Sequence, residues 1–127
     1  MNRPRWLDRR ISAPGPHLCL CLTERDYTAA MRHVGASAEA PWISTPQAHA
    51  TAHHIRKDGK LIAVICLSAW QGRNPVEVAG LLVHEAVHAW QEWCDFYGER
   101  APGAEQEAYA IQSIAQELMA EFGRRMT

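Results

Sequence analysis

Apolar residues are spaced along this chain in a way that marks out its elements before any chemistry is considered. His17-Leu18-Cys19-Leu20-Cys21-Leu22 is a short apolar run of the length of a buried strand. Thr23 followed by Asp26 resembles a capping box and predicts a helix to about Val34, with Gly35 as its stop. Residues 36–48 are rich in Ala, Ser and Pro and read as loop. Ala50–Arg56 and Leu61–Leu67 flank Lys57-Asp58-Gly59-Lys60, and Asp-Gly between two β-prone runs is a strong hairpin cue. The second of these runs is apolar throughout, which predicts a strand covered on both faces.

Asn74-Pro75-Val76-Glu77 combines an N-capping Asn, a Pro in the first turn and a Glu three residues after the cap. It predicts a long helix to about Tyr97, with Gly98 as its C-terminal stop. After Arg100-Ala101-Pro102-Gly103 a last helix is predicted from about Ala104 to Phe122. The expected class is α+β, a small sheet with a hairpin packed on the long helix and a C-terminal helix. Residues 1–16 hold three prolines and read as an irregular lead-in to a single domain spanning 1–127.

Composition narrows the function without choosing it. A chain of 127 residues, 47% hydrophobic and 21% charged, supports one modest core and one cleft. Its formal net charge of -1 argues against a dedicated nucleic-acid binder. The clusters Arg3, Arg5, Arg9, Arg10 and Arg124, Arg125 read as solvated termini. No stretch approaches the ~20 apolar residues of a membrane span, and Pro14, Gly15 and Pro16 interrupt any signal-like apolar region. Cys19, Cys21, Cys66 and Cys94 sit among apolar neighbours without a disulfide-scaffold pattern. A reducing cytoplasm is the expected location.

His84-Glu85-Ala86-Val87-His88 matches H-E-x-x-H within the long predicted helix. Four residues is just over one helical turn, so both imidazoles leave the same side and can grip one ion. Glu85 is rotated off that line by about a quarter turn. It can therefore reach a water at the metal without becoming a ligand, take its proton, and pass it to the leaving amine. Leu82, Val83, Ala86, Val87, Trp90 and Trp93 supply the expected core side, while His84 and His88 share another side with Glu77, Leu81 and Gln91. An N,N,O ligand set of this kind fits zinc.

A catalytic zinc normally has three protein ligands. The last helix offers Glu105 and Glu107, which are two positions apart and so cannot both face one metal. Glu107 falls in line with Ile111, Ile114 and Leu118, where a buried carboxylate needs a partner such as zinc. Glu105 falls in line with Tyr109, Gln112 and Gln116, a polar stripe suited to a cleft. The residues alone leave both open.

HExxH followed on a later helix by a glutamate resembles the gluzincin arrangement. Glu105-Gln106-Glu107-Ala108-Tyr109-Ala110-Ile111-Gln112 is similar to the E-x-E-A helix of small ImmA/IrrE-like metallopeptidases. With Leu81–Gln91 it also resembles metallopeptidase-like proteins encoded by tailed phages and prophages. The likeness covers roughly residues 60–120. It implies a minimal zincin-like fold, a bound zinc ion, and hydrolysis of a peptide or protein. It ranks Glu105 narrowly ahead of Glu107 as third ligand, because an E-x-x-A pattern followed by a polar residue starts there. Tyr109 stands where Asp or Asn is common and is a candidate oxyanion donor. In such folds an edge strand takes the substrate as an added strand, a role suited to the hairpin at 50–67.

His49, His53 and His54 lie on the first hairpin strand, and are read as the polar side of a half-exposed strand, with oxyanion or metal roles as the sharper alternative. His17-x-Cys19-x-Cys21 alternates along a strand and lacks the C-x-x-C loop of zinc ribbons. Trp70, Trp90 and Trp93 are expected in the core or cleft wall. Two other functions fit the same residues: a catalytically silent zincin-fold binding module, and a cell-wall endopeptidase. The chain shows no wall-binding repeats, which counts against the latter.

Overall fold

A computed structural model describes residues 15–127. It is an α+β domain, with β1 (His17–Cys21), α1 (Glu24–Val34), β2 (Ala50–Lys57), β3 (Lys60–Leu67), α2 (Pro75–Tyr97) and α3 (Ala104–Arg125). The sheet has the order β1-β3-β2, with β1 parallel and β2 antiparallel to the central β3. The basic cluster Arg3, Arg5, Arg9 and Arg10 lies outside the described residues.

The continuous apolar run explains why β3 is central. From Leu61 to Leu67 every residue is buried, and period-2 alternation sends successive side chains to opposite faces. Ala63, Ile65 and Leu67 join Leu18, Leu20 and Leu22 against α2 and α3. Ile62, Val64 and Cys66 join Cys19, Cys21, Tyr27, Ala30 and Met31 beneath α1. The result is three layers: α1, the sheet, and the α2–α3 pair. Cysteines on the α1 side pack as small apolar groups, all free thiols.

The β2–β3 turn forms at the expected dipeptide. Asp58 and Gly59 take φ of 53° and 72°, the left-handed pair that a two-residue hairpin turn requires. Both strands reach one residue further into the turn than expected, pairing Lys57 with Lys60. Thr23 caps α1 through Asp26 N–H at 3.0 Å, but the Asp26 carboxylate accepts from Leu22 N–H at 3.0 Å. A capping Glu would bond to the capping residue's own N–H; the shorter Asp bonds one residue before it. Asn74 accepts from Val76 N–H at 2.8 Å at the start of α2.

Two details depart from the sequence reading, and a third sharpens it. α3 continues to Arg125, and Arg124 and Arg125 are not loose cations. Glu121 is buried and accepts from Arg124 at 2.6 and 2.9 Å, while Arg125 reaches Asp26 at 2.8 Å and so ties α3 to the first turn of α1. Along α2, Val83 is exposed although it was expected on the core side, and Glu85 is buried. Loop 36–48 is pinned in place: Tyr27 Oη donates to Ala40 O at 2.9 Å, and Ser44 N–H donates to Thr51 Oγ1 at 2.9 Å.

Leu82 is 1% exposed in the core between the sheet and the helix pair. Leu82→Ala is expected to cost about 2–5 kcal/mol in urea unfolding. Its neighbour Val83→Ala should stay within about 0.5 kcal/mol, and equal losses would contradict this packing.

Candidate metal centre

The long α2 helix divides its surface among three neighbours. Leu82, Ala86, Ala89 and Trp90 enter the core shared with the sheet and α3. His84, Glu85 and His88 turn instead toward β2, where they line a cavity of about 420 Å³ with Ala50, Ala52, His54 and Glu92. Alternation along β2 makes this cavity. Ala50, Ala52 and His54 share the face toward α2, and the two alanines are too small to fill it. The opposite face carries His53 and Ile55.

His84 and His88 present Nε2 atoms 3.2 Å apart, with ring centroids at 4.8 Å. Nitrogens bound to tetrahedral zinc at about 2.0–2.1 Å lie about 3.3–3.4 Å from each other, so the pair has the spacing of one edge of such a site. His88 Nδ1–H donates to Gln91 Oε1 at 3.2 Å. That bond selects the tautomer in which the Nε2 lone pair is free to accept, here from His84 Nε2–H at 3.2 Å, and would be available to an ion in its place. The partner is readable from sequence, because Gln91 is three residues after His88 on a helix.

Glu85 lines the same cavity yet is only 5% exposed. Burial raises its carboxyl pKa above the ordinary value, with His84 and His88 pulling the other way. A carboxyl shifted in this direction is suited to holding and releasing a proton.

The two glutamates of α3 lie elsewhere. Glu107 is half-buried and accepts from the Trp90 indole N–H at 2.9 Å. Its alignment with the buried side of α3 called for a partner, and that partner is an indole. Glu105 and Tyr109 are exposed, Tyr109 at 65%. None of the three is among the residues lining the cavity. The polar stripe Glu105, Tyr109, Gln112 and Gln116 therefore faces solvent rather than a cleft. Among the described residues, no three His, Cys, Asp or Glu side chains are gathered as a ready metal cluster.

The histidines of the hairpin separate by face. His53 stacks on Tyr27 at 4.7 Å and its Nε2 meets Trp42 O at 3.0 Å, on the α1 side. His49 is not a lining residue of the cavity. His54 is, and burial lowers its pKa, with His88, His53 and Arg56 acting in the same direction against Glu92. On β1, His17 faces a second cavity with His33 and Lys57, and Cys19 and Cys21 are buried in the α1-side core. Trp70 donates its indole N–H to Leu22 O at 2.9 Å and packs edge-on to Phe122. Trp93 stacks with Phe96 and Tyr97 at the end of α2.

No family model matches the chain, and neither the curated proteins nor the solved structures include a match to it. No helix among the described residues is long and apolar enough to cross a membrane.

A buried carboxylate without a cation opposes folding when it is ionised. The sign follows from the raised pKa: Glu85 favours the folded state only where it is protonated, and opposes it at neutral pH. In metal-free protein at pH 7, Glu85→Gln should therefore raise the midpoint of thermal unfolding by a few degrees. A drop would show that the ionised carboxylate is satisfied in the fold.

Proposed function

We propose that this chain is a zinc-dependent metallopeptidase with a minimal zincin-like fold, in which His84 and His88 hold the ion and Glu85 is the general base and acid. The observation that carries the reading is the joint placement of two Nε2 atoms 3.2 Å apart and a buried glutamate on one cavity wall. Zinc bound there supplies Lewis-acid polarisation of a carbonyl and lowers the pKa of water. The chain's own residues do the rest. Glu85 receives the proton of the attacking water and delivers it to the leaving nitrogen, which its raised proton affinity favours.

Substrate placement follows from the sheet. β2 is an edge strand and its residues form one wall of the cavity. An extended peptide added to that edge by main-chain hydrogen bonds lies beside Glu85 and the histidine pair. Loop 36–48, held by the Tyr27–Ala40 and Ser44–Thr51 bonds, borders the same edge through Ser44. This favours a narrow set of peptide or protein substrates, and the resemblance to small gluzincins and ImmA/IrrE-like phage and prophage proteins supports the same class. Tyr109, exposed and away from the cavity lining, has no part in this mechanism.

A second reading draws on one observation, the absence of a gathered third ligand among the described residues. It makes the chain a catalytically silent module that binds a partner protein. The two readings differ at Glu85. For the peptidase, Glu85→Gln should keep zinc content at one per chain by elemental analysis while peptide hydrolysis falls at least ~100-fold. Hydrolysis at the parent rate would end the mechanism, and zinc without turnover on any peptide library would favour the binding module. Unfolded casein should be a poor substrate, with broad digestion counting against narrow access.

A further inference from the structure

Two imidazoles do not complete a catalytic zinc site, and the cavity contains one more side chain able to join them. Besides the motif residues, the lining residues with metal-binding side chains are His54 and Glu92. Glu92 is already neutralised by Arg56 at 3.2 Å. It is also eight residues beyond His84, about 12 Å along the helix axis, too far for one ion to join both. His54 carries no such ion pair and lines the same cavity as His84 and His88. It comes from the facing strand, not from α2, and its Nε2 is buried with no hydrogen-bond partner.

A buried ring nitrogen left unpaired opposes folding, and folded proteins rarely leave one so. Its neighbours on the same face, Ala50 and Ala52, bring no polar group to it. A metal ion is one partner that a neutral imidazole satisfies fully.

We propose that His54 is the third protein ligand of the ion held by His84 and His88, making an all-histidine set that spans β2 and α2. This rests on the zinc reading above and gives His54 the place that the sequence reading assigned to Glu105 or Glu107. The three are not gathered as they stand, so His54 closes on the pair by side-chain rotation when the ion binds. Glu107 meanwhile keeps its bond to the Trp90 indole, a buried N–H that would otherwise lose its acceptor. Clamping an edge strand to the helix also fixes the strand on which the peptide docks.

The test is zinc affinity, measured on the full chain by competition with a chromophoric chelator. His54→Ala should weaken binding at least ~100-fold, beyond the 10–100-fold typical of residues that only orient a ligand. Glu105→Ala and Glu107→Ala should stay within about 3-fold. In cobalt-loaded protein the visible ligand-field bands should change for His54→Ala and persist for Gln91→Ala, since Gln91 acts only through His88. Unfolding of the metal-free forms controls for damage to the fold, and His54→Gln, close in volume, serves if the alanine variant does not fold. Parent affinity in a folded His54 variant overturns the proposal, as does loss confined to Glu105→Ala or Glu107→Ala. Absence of zinc binding by the parent chain overturns the zinc reading itself, which separates the two failures.

Discussion

The burial of β3 on both faces is the constraint from which the rest of this structure follows. Seven consecutive apolar residues, Leu61 to Leu67, leave water only if something covers each side of the strand. Alternation assigns Ile62, Val64 and Cys66 to α1, and Ala63, Ile65 and Leu67 to the α2–α3 pair. β1 and β2 then satisfy the two hydrogen-bonding edges of β3. β1 and β2 are both outer strands, but β2 lacks an apolar run and is only half-covered, so its α2-facing side is where a cavity can exist. The site is a consequence of where the core stops.

α2 shows what that boundary demands of one helix. It packs against the sheet and α3 along its length, so the residues within each turn divide between core, α3 and the open flank beside β2, and residues one turn apart share a side. Leu82, Ala86 and Ala89 go inward, while His84 and His88, offset from them, are left on the flank. Glu85 lies between these sides. It is buried by its neighbours and still touches the cavity, which raises its proton affinity without removing it from the site. A glutamate on the exposed side would have had an ordinary pKa and no such poise.

Local signals in the sequence were sufficient for most of this. Caps at Thr23 and Asn74, the Asp58-Gly59 turn and the stop at Gly98 are short-range chemistry, and each element they bound is present within a few residues. The HExxH pair was equally local, one helical turn with a fixed geometry. What sequence alone left open was which neighbour each helix face meets. Val83 looks like a core residue by composition and is exposed because α2 is rotated to bury Glu85. Glu107 looked like a ligand in need of a metal because the indole of Trp90, 17 positions away, is invisible to periodicity. The three hairpin histidines were indistinguishable until the register placed His53 against Tyr27 and His54 over the cavity.

Glu85 and His54 bear on metal binding through the same physical cost. One is an acid buried without a cation and the other an imidazole nitrogen buried without a partner, and both line a single cavity. In the absence of an ion each subtracts from stability, by charge desolvation in one case and by an unmade hydrogen bond in the other. A dication held between β2 and α2 would reverse both signs at once, because it would attract the carboxylate and accept the imidazole lone pair. The free energy of such binding is then partly free energy of folding. It is concentrated where the sheet edge meets the helix, the one flank of α2 that neither the core nor α3 secures. An ion held there would join β2 to α2 beside the bridges that Arg56 already makes to Glu92 and Asp95, and would couple the chemistry of the site to the docking of the sheet edge on the helix.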